Sequence, residues 1–140
     1  MTDRDRARLV GVSPDLIIYT GRILAAMDAL GFPMMVTDGV RTVAAQQALY
    51  AQGRTAVGLI VTQRDGVTRR SNHQTHADGF GHAVDCCFLV DGQPSWDHRL
   101  PWHLYGAMAQ ALGLVWGGAW TKFVDLPHIE LSEDVIGVPV

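Results

Sequence analysis

The sequence is poor in charge, in cysteine and in long apolar runs. Only 18% of the 140 residues are charged and the formal net charge is −3. That balance leaves no electrostatic footprint for a nucleic acid, and the longest basic cluster, Arg69-Arg70, is too short to supply one. No apolar stretch is long enough to span a bilayer. The segment MTDRDRARLVGVSPD lacks the apolar core of a secretory signal. The two cysteines are adjacent, Cys86-Cys87. On a strand they point to opposite faces, so they cannot share a tetrahedral site as a CxxC pair would, and two buried, reduced thiols are expected. Repeats, linkers and low-complexity segments are also missing. What remains is 48% apolar, enough for a globular core. A single catalytic-size domain over 1–140 is expected, with 1–12 as a flexible lead-in.

Periodicity and punctuation give the elements. Ser13-Pro14-Asp15 is a helix start, with Ser as cap and Pro at the first helical position, and Gly31 with Pro33 is its stop. Leu16, Tyr19, Ile23, Leu24, Met27 and Leu30 recur at helical spacing between them. A strand over Met34–Thr37 leads into the Asp38-Gly39 turn. A second helix covers Val43 to Gln52, and residues 54–70 read as a polar, irregular crossing loop apart from Leu59-Ile60-Val61. Ala83–Val90 is a strand ending at the hairpin-type turn Asp91-Gly92. A third helix runs from Pro101 to Leu112, and an aromatic, glycine-rich loop covers 116–120. Pro127–Leu131 is a last strand. The fold class is α+β: a small, mostly antiparallel sheet packed with helices.

Two separated motifs carry chemistry: Ser71-Asn72-His73 running to Gly81-His82-Ala83-Val84-Asp85, and Asp125-Leu126-Pro127-His128. A catalytic zinc wants three nitrogen or oxygen ligands, an open position for water, and a carboxylate to take that water's proton. His73, Asp85 and His128 can supply the ligands, and Asp125 the proton acceptor. Asp85 lies in an apolar strand, where a charge needs a strong partner; the alternative is a solvent-facing strand edge. His82 points away from Asp85 by strand alternation, which places it behind the site or at the surface. His76 lies in an insert loop, and His98 and His103 lie near a helix start with no partner motif.

These blocks, with Asp38-Gly39-Val40-Arg41-Thr42, Tyr50-Ala51-Gln52-Gly53-Arg54-Thr55 and Trp116-Gly117-Gly118-Ala119-Trp120, occur in an order that resembles one family. It is that of the zinc D-Ala-D-Ala carboxypeptidases and the L-alanyl-D-glutamate endopeptidases of phage endolysins. The resemblance runs from about Asp38 to Leu131 and implies the zinc-peptidase fold of the D-Ala-D-Ala carboxypeptidase/hedgehog type. It makes His73, Asp85 and His128 the Zn2+ ligands and Asp125 the general base. Arg41, otherwise an ordinary surface arginine after a turn, becomes the cation that steadies the oxyanion. Ser71 becomes a residue that holds substrate or orients the first ligand. Trp116, Trp120 and Phe123 either wall the cleft or pack the core. One departure matters: relatives with a compact spacing hold His and Asp seven apart. Here five extra residues follow Thr75, so Asp78 or His76 competes with His73.

The implied function is a peptidoglycan stem-peptide hydrolase, with cleavage between L-Ala and D-Glu first and D-Ala-D-Ala carboxypeptidase second. A zinc-containing wall-binding module without activity is the alternative from another class. The implied partners are peptidoglycan stem peptides and a virion or lysis partner. Synthesis in the cytoplasm without a signal peptide, and action on the wall after release or delivery, is the matching expectation.

Overall fold

In the computed structural model, residues 1–132 are described; residues 133–140 of the expected domain lie outside them. The elements in chain order are α1 (Asp3–Arg8), α2 (Pro14–Ala29), β1 (Met34–Asp38), α3 (Val43–Ala51), β2 (Ala83–Val90), β3 (Gln93–Ser95), α4 (Trp102–Ala111), β4 (Leu114–Trp116) and β5 (His128–Leu131). A one-turn 3-10 helix, Gly117–Ala119, follows β4. The sheet has the order β1-β2-β5-β4, with β3 paired to the far half of β2, and every pairing is antiparallel. This is the α+β class expected.

Strand alternation divides the sheet's work. Val84, Cys86, Phe88, Ile129 and Leu131 share one face, and all are buried with Leu16, Ile23 and Met27 of α2 and Trp102, Tyr105 and Ala109 of α4. The other face carries Asp85 and His128, which are direct cross-strand partners. Side chains paired across two antiparallel strands lie side by side, so the register alone puts them together. A bulge at Thr37 does the same for β1. Val36 pairs with Cys86 and Asp38 with Asp85, two residues against one, so Asp38 turns to the face of Asp85.

The first twelve residues correct the expectation of a flexible lead-in. They hold α1, started by a reciprocal capping box between Thr2 and Asp5. Leu9 and Val12 are buried in the core. Asp5 accepts from Val36 N (2.9 Å) and Arg8 donates to Val36 O (2.9 Å), so α1 satisfies the open edge of β1. Two smaller corrections concern Ser13 and Trp116. Ser13 starts α2 by position, but its hydroxyl makes no capping bond. Trp116, placed in a loop from its glycine neighbours, ends a three-residue strand.

Candidate metal centre and cleft

Each of the three converging side chains arrives on a different piece of chain. Asp85 comes from the middle of β2 and His128 from the first position of β5. His73 comes from the loop between α3 and β2, tied down by Arg41 N donating to His73 O (2.8 Å) and His73 N donating to Ser71 Oγ (3.2 Å). Ser71 thus braces the backbone at His73 and also lines the cleft. His128 is set by Tyr105 of α4, whose hydroxyl donates to Pro127 O (2.7 Å), the carbonyl that also accepts from Cys86 N. Gly117 lets Asp125 approach: a Cβ there would lie 2.5 Å from Asp125 O and 3.1 Å from His128 Cβ.

The protonation pattern shows what the cluster lacks. His73 Nδ1 is 2.8 Å from Gly39 O, and a carbonyl only accepts, so that nitrogen carries the proton. His128 Nε2 is 2.7 Å from Glu130 Oε2 and donates to the carboxylate. In the neutral rings His73 Nε2 and His128 Nδ1 are then bare lone pairs, and they face each other at 3.2 Å. Asp85 closes the triangle, with Oδ2 3.3 Å from His73 Nε2 and Oδ1 3.2 Å from His128 Nδ1. Asp85 Oδ1 is buried with no hydrogen-bond partner. With both rings neutral, three acceptors thus meet with no donor among them.

A cation resolves that conflict, and the spacing suits one. Ligands about 2.0–2.1 Å from a tetrahedral zinc lie about 3.3–3.4 Å from each other. Among the described residues this is the one group of three His, Cys, Asp or Glu side chains close enough to hold a metal. Without a metal, a proton must take the place. Burial would lower the His128 pKa, but the bonds to Asp85 and Glu130 outweigh it and push the pKa up to about 10. Burial would raise the Asp85 carboxyl; His73 and His128 outweigh it and hold it well below the usual carboxylate range.

Asp125 stands beside this cluster without joining it. Its Oδ2 is 3.9 Å from His128 Nδ1. Burial, then the charge of Asp85, raises its pKa. Arg41 lies on the other flank, with one terminal nitrogen 3.8 Å from Asp85 Oδ2. Asp38 takes its Nε (3.2 Å) and a second N–H, and Gln46 Oε1 takes another (2.7 Å). Around these groups runs a cleft of about 770 Å³, walled by residues 60–64 on one side and by Trp120, Lys122, Phe123 and Val124 on another. Trp120 lies 5.1 Å from the His128 ring, centre to centre. Trp116 is not a wall residue: it packs against the core and donates its indole N–H to Leu126 O.

The competing residues sit elsewhere. The insert after Thr75 turns outward and makes a cluster of its own, in which Asp78 Oδ2 is 2.7 Å from His82 Nε2. His76 stacks on His82 with ring centres 3.7 Å apart. His82 is buried rather than at the surface. His98 and His103 are exposed. Asp38, Gln46, Tyr105 and Glu130 are structural partners of the site that the sequence reading did not single out. Only Glu130 carried a signal, two residues beyond His128 on the same strand, which puts it on the same face.

Comparison with known proteins identifies the family. Residues 65–131 match the D-alanyl-D-alanine carboxypeptidase family. The chain is 34% identical over 116 residues to the peptidoglycan L-alanyl-D-glutamate endopeptidase CwlK of Bacillus subtilis, covering 76% of this chain and 65% of that protein. It thus spans just under two thirds of that relative's length. The crystal structure of the L-Ala D-Glu endopeptidase ChiX of Serratia marcescens superposes with a TM-score of 0.65 at 30% identity, covering 94% of this chain and 89% of that one. On the strength of that coverage and identity, the chain belongs to the D-alanyl-D-alanine carboxypeptidase and L-alanyl-D-glutamate endopeptidase family of metallopeptidases.

Proposed function

We propose that this chain is a zinc-dependent peptidoglycan peptidase that hydrolyses a stem-peptide amide, first of all the bond between L-Ala and D-Glu. The observation that carries the reading is the convergence of His73 Nε2, His128 Nδ1 and the Asp85 carboxylate, which with neutral rings turn three acceptors on one point. Asp125 lies alongside, free of any hydrogen bond to a neighbouring side chain among the described residues. His73, Asp85 and His128 would hold the ion. Zinc there supplies Lewis acidity, making water a better nucleophile and a carbonyl a better electrophile.

The chain's own residues do the rest. Asp125 accepts the proton of the attacking water and returns it to the departing amine. Its raised pKa suits both halves of that task. Arg41 faces the carbonyl oxygen as negative charge develops, and its clamp by Asp38 and Gln46 keeps it from having to reorganise. Trp120 and Phe123 flank the scissile bond, and Ser71 borders the substrate.

The cleft's cations support an acidic substrate. Arg64, Arg70 and Lys122 line it, and none takes part in an ion pair among the described residues. A D-Glu residue beside the cut bond would meet them with its free carboxylate. The same cations favour a second reading, removal of a terminal D-Ala whose carboxylate they would bind. CwlK and ChiX, both named as endopeptidases for L-Ala and D-Glu, support the first reading. Delivery to the wall with the help of a virion or lysis partner belongs to this proposal.

The test is digestion of purified peptidoglycan by the zinc-loaded protein, with and without chelator, followed by mass spectrometry. A new N-terminus at D-Glu that vanishes with chelator is the expected result. Loss of a terminal D-Ala alone would move the chain to the carboxypeptidase reading. No product from a protein with stoichiometric zinc would leave a binding module.

A further inference from the structure

The wall of the cleft over residues 60–64 has no helix or strand and is held by side-chain hydrogen bonds to its backbone. Gln46, on α3, is fully buried. Every polar valence of its amide but one is directed. Oε1 accepts from Arg41 (2.7 Å), and Nε2 donates to Arg64 O (2.8 Å) with a longer contact to Thr62 Oγ1 (3.4 Å). Just past the wall, Gln74 holds the chain: its Nε2 donates to Gly66 O (3.0 Å) and its Oε1 accepts from Ser71 N (2.9 Å). Arg54 adds a bond to Thr62 O (3.1 Å). Gly66 closes against Gln46: it has φ +88°, and a Cβ there would meet Gln46 Cβ and Cγ at 3.0 Å. A buried amide is costly unless it is satisfied, so its placement between two groups of different kinds has to be maintained.

We propose that Gln46 is a positioning residue that couples the cleft wall to the reaction centre, orienting Arg41 through Oε1 and fixing the substrate-binding loop at Arg64 through Nε2. The proposal rests on the peptidase reading for its kinetic half and stands without it for its structural half. Arg41 can rotate about its long side chain, and Asp38 alone holds only one edge of the guanidinium. Gln46 holds the other edge, so the guanidinium plane is set by two elements. Because one amide holds both, displacement of the wall tilts the arginine. A wall that shifts when substrate seats would be felt directly at the carbonyl-facing cation.

The experiment compares Gln46→Leu, Gln46→Glu, Arg41→Ala and the double variant Arg41→Ala/Gln46→Leu as zinc-loaded proteins. The readouts are kcat and KM on stem peptide, zinc content, and the rate of trypsin cleavage after Arg64. Gln46→Leu keeps its zinc, loses about ten- to a hundredfold in kcat, and is cut after Arg64 faster than the wild type. In the Arg41→Ala background the Leu substitution costs no further kcat, because the pathway through the arginine is already gone. Gln46→Glu keeps an acceptor for Arg41 but turns a second oxygen toward Arg64 O. It therefore raises KM and speeds cleavage while losing less kcat than the Leu variant.

Additive kcat losses in the double variant would overturn the coupling to Arg41, as would a Glu variant whose kcat falls as far as that of Leu. An unchanged cleavage rate after Arg64 in both variants would overturn the hold on the loop. If Gln46→Leu does not fold, the Glu variant carries both readouts. A wild type inactive on every stem peptide would remove the peptidase reading and leave the cleavage comparison to decide the structural half.

Discussion

Glu130 shows how much of the site depends on a side chain that would not touch the ion. Its carboxylate accepts from His128 Nε2 at 2.7 Å, and that bond alone decides that Nδ1 presents the lone pair to the cluster. Gly39 O does the same for His73. Partners of this kind typically account for about ten- to a hundredfold in metal affinity. Glu130→Ala is therefore expected to weaken zinc binding by about that factor with the fold intact, measured by competition with a chromophoric chelator. Unchanged affinity would mean that the His128 ring is set by packing alone. At this scale much was legible in the sequence. The strand around Asp85 left two readings open, a cation partner or a solvent-facing edge, and the Asp125-x-x-His128 spacing allowed a carboxylate near the same position; the fold sets both beside His128. Gln46 and Asp38 were not legible, because their contribution is a hydrogen bond to another side chain across the fold, and no local pattern encodes it.

Among the elements, the long periodic ones were readable and the short ones were not. The α2 helix and β2 lie within a residue or two of where periodicity and turn signals put them. The six-residue α1 and three-residue β4 are too short for periodicity to register. For α1 a signal was present in Thr2-x-x-Asp5, a capping box whose apolar partners, Leu9 and Val12, lie beyond the helix.

The docking of α1 has a pH signature. Asp5 is buried, and burial would raise its pKa, but the bonds it accepts from Thr2 and Val36 outweigh this and lower it. A carboxylate lowered in the folded state stabilises above its unfolded pKa of about 3.9 and loses that contribution as pH falls through the folded value. Asp5→Ala should cost about 1–3 kcal/mol at pH 7, the cost of leaving the buried Val36 N–H unpaired. In denaturant melts the gap from wild type should narrow at pH 3. A gap equal at both pH values would assign the loss to packing.

For the molecule as a whole, the site ties the core's layers together. His128 is set by α4 through Tyr105, Asp85 belongs to the central strand, and His73 hangs from the loop that Gln74 and Ser71 hold. An ion bound to all three stabilises the folded chain by mass action, about 2.7 kcal/mol at a hundred times Kd. Zinc should raise Tm by several degrees, a chelator should reverse the rise, and His73→Ala should abolish it. A Tm indifferent to zinc would mean that the three side chains do not bind it together. The order of motifs made the overall fold legible. The path of the insert after Thr75 was not, since only the folded loop shows Asp78 committed to His82 and not to the cluster.

One measurement separates holding the metal from moving the proton. It is the measurement of zinc content and turnover on the same preparation of Asp125→Ala. Asp125 Oδ2 lies 3.9 Å from the nearest ring nitrogen of the cluster, outside the triangle that His73, Asp85 and His128 close. Stoichiometric zinc with peptidoglycan hydrolysis abolished is the expected result. Zinc lost together with activity would make Asp125 a ligand, and activity retained with zinc in place would take it out of the reaction altogether.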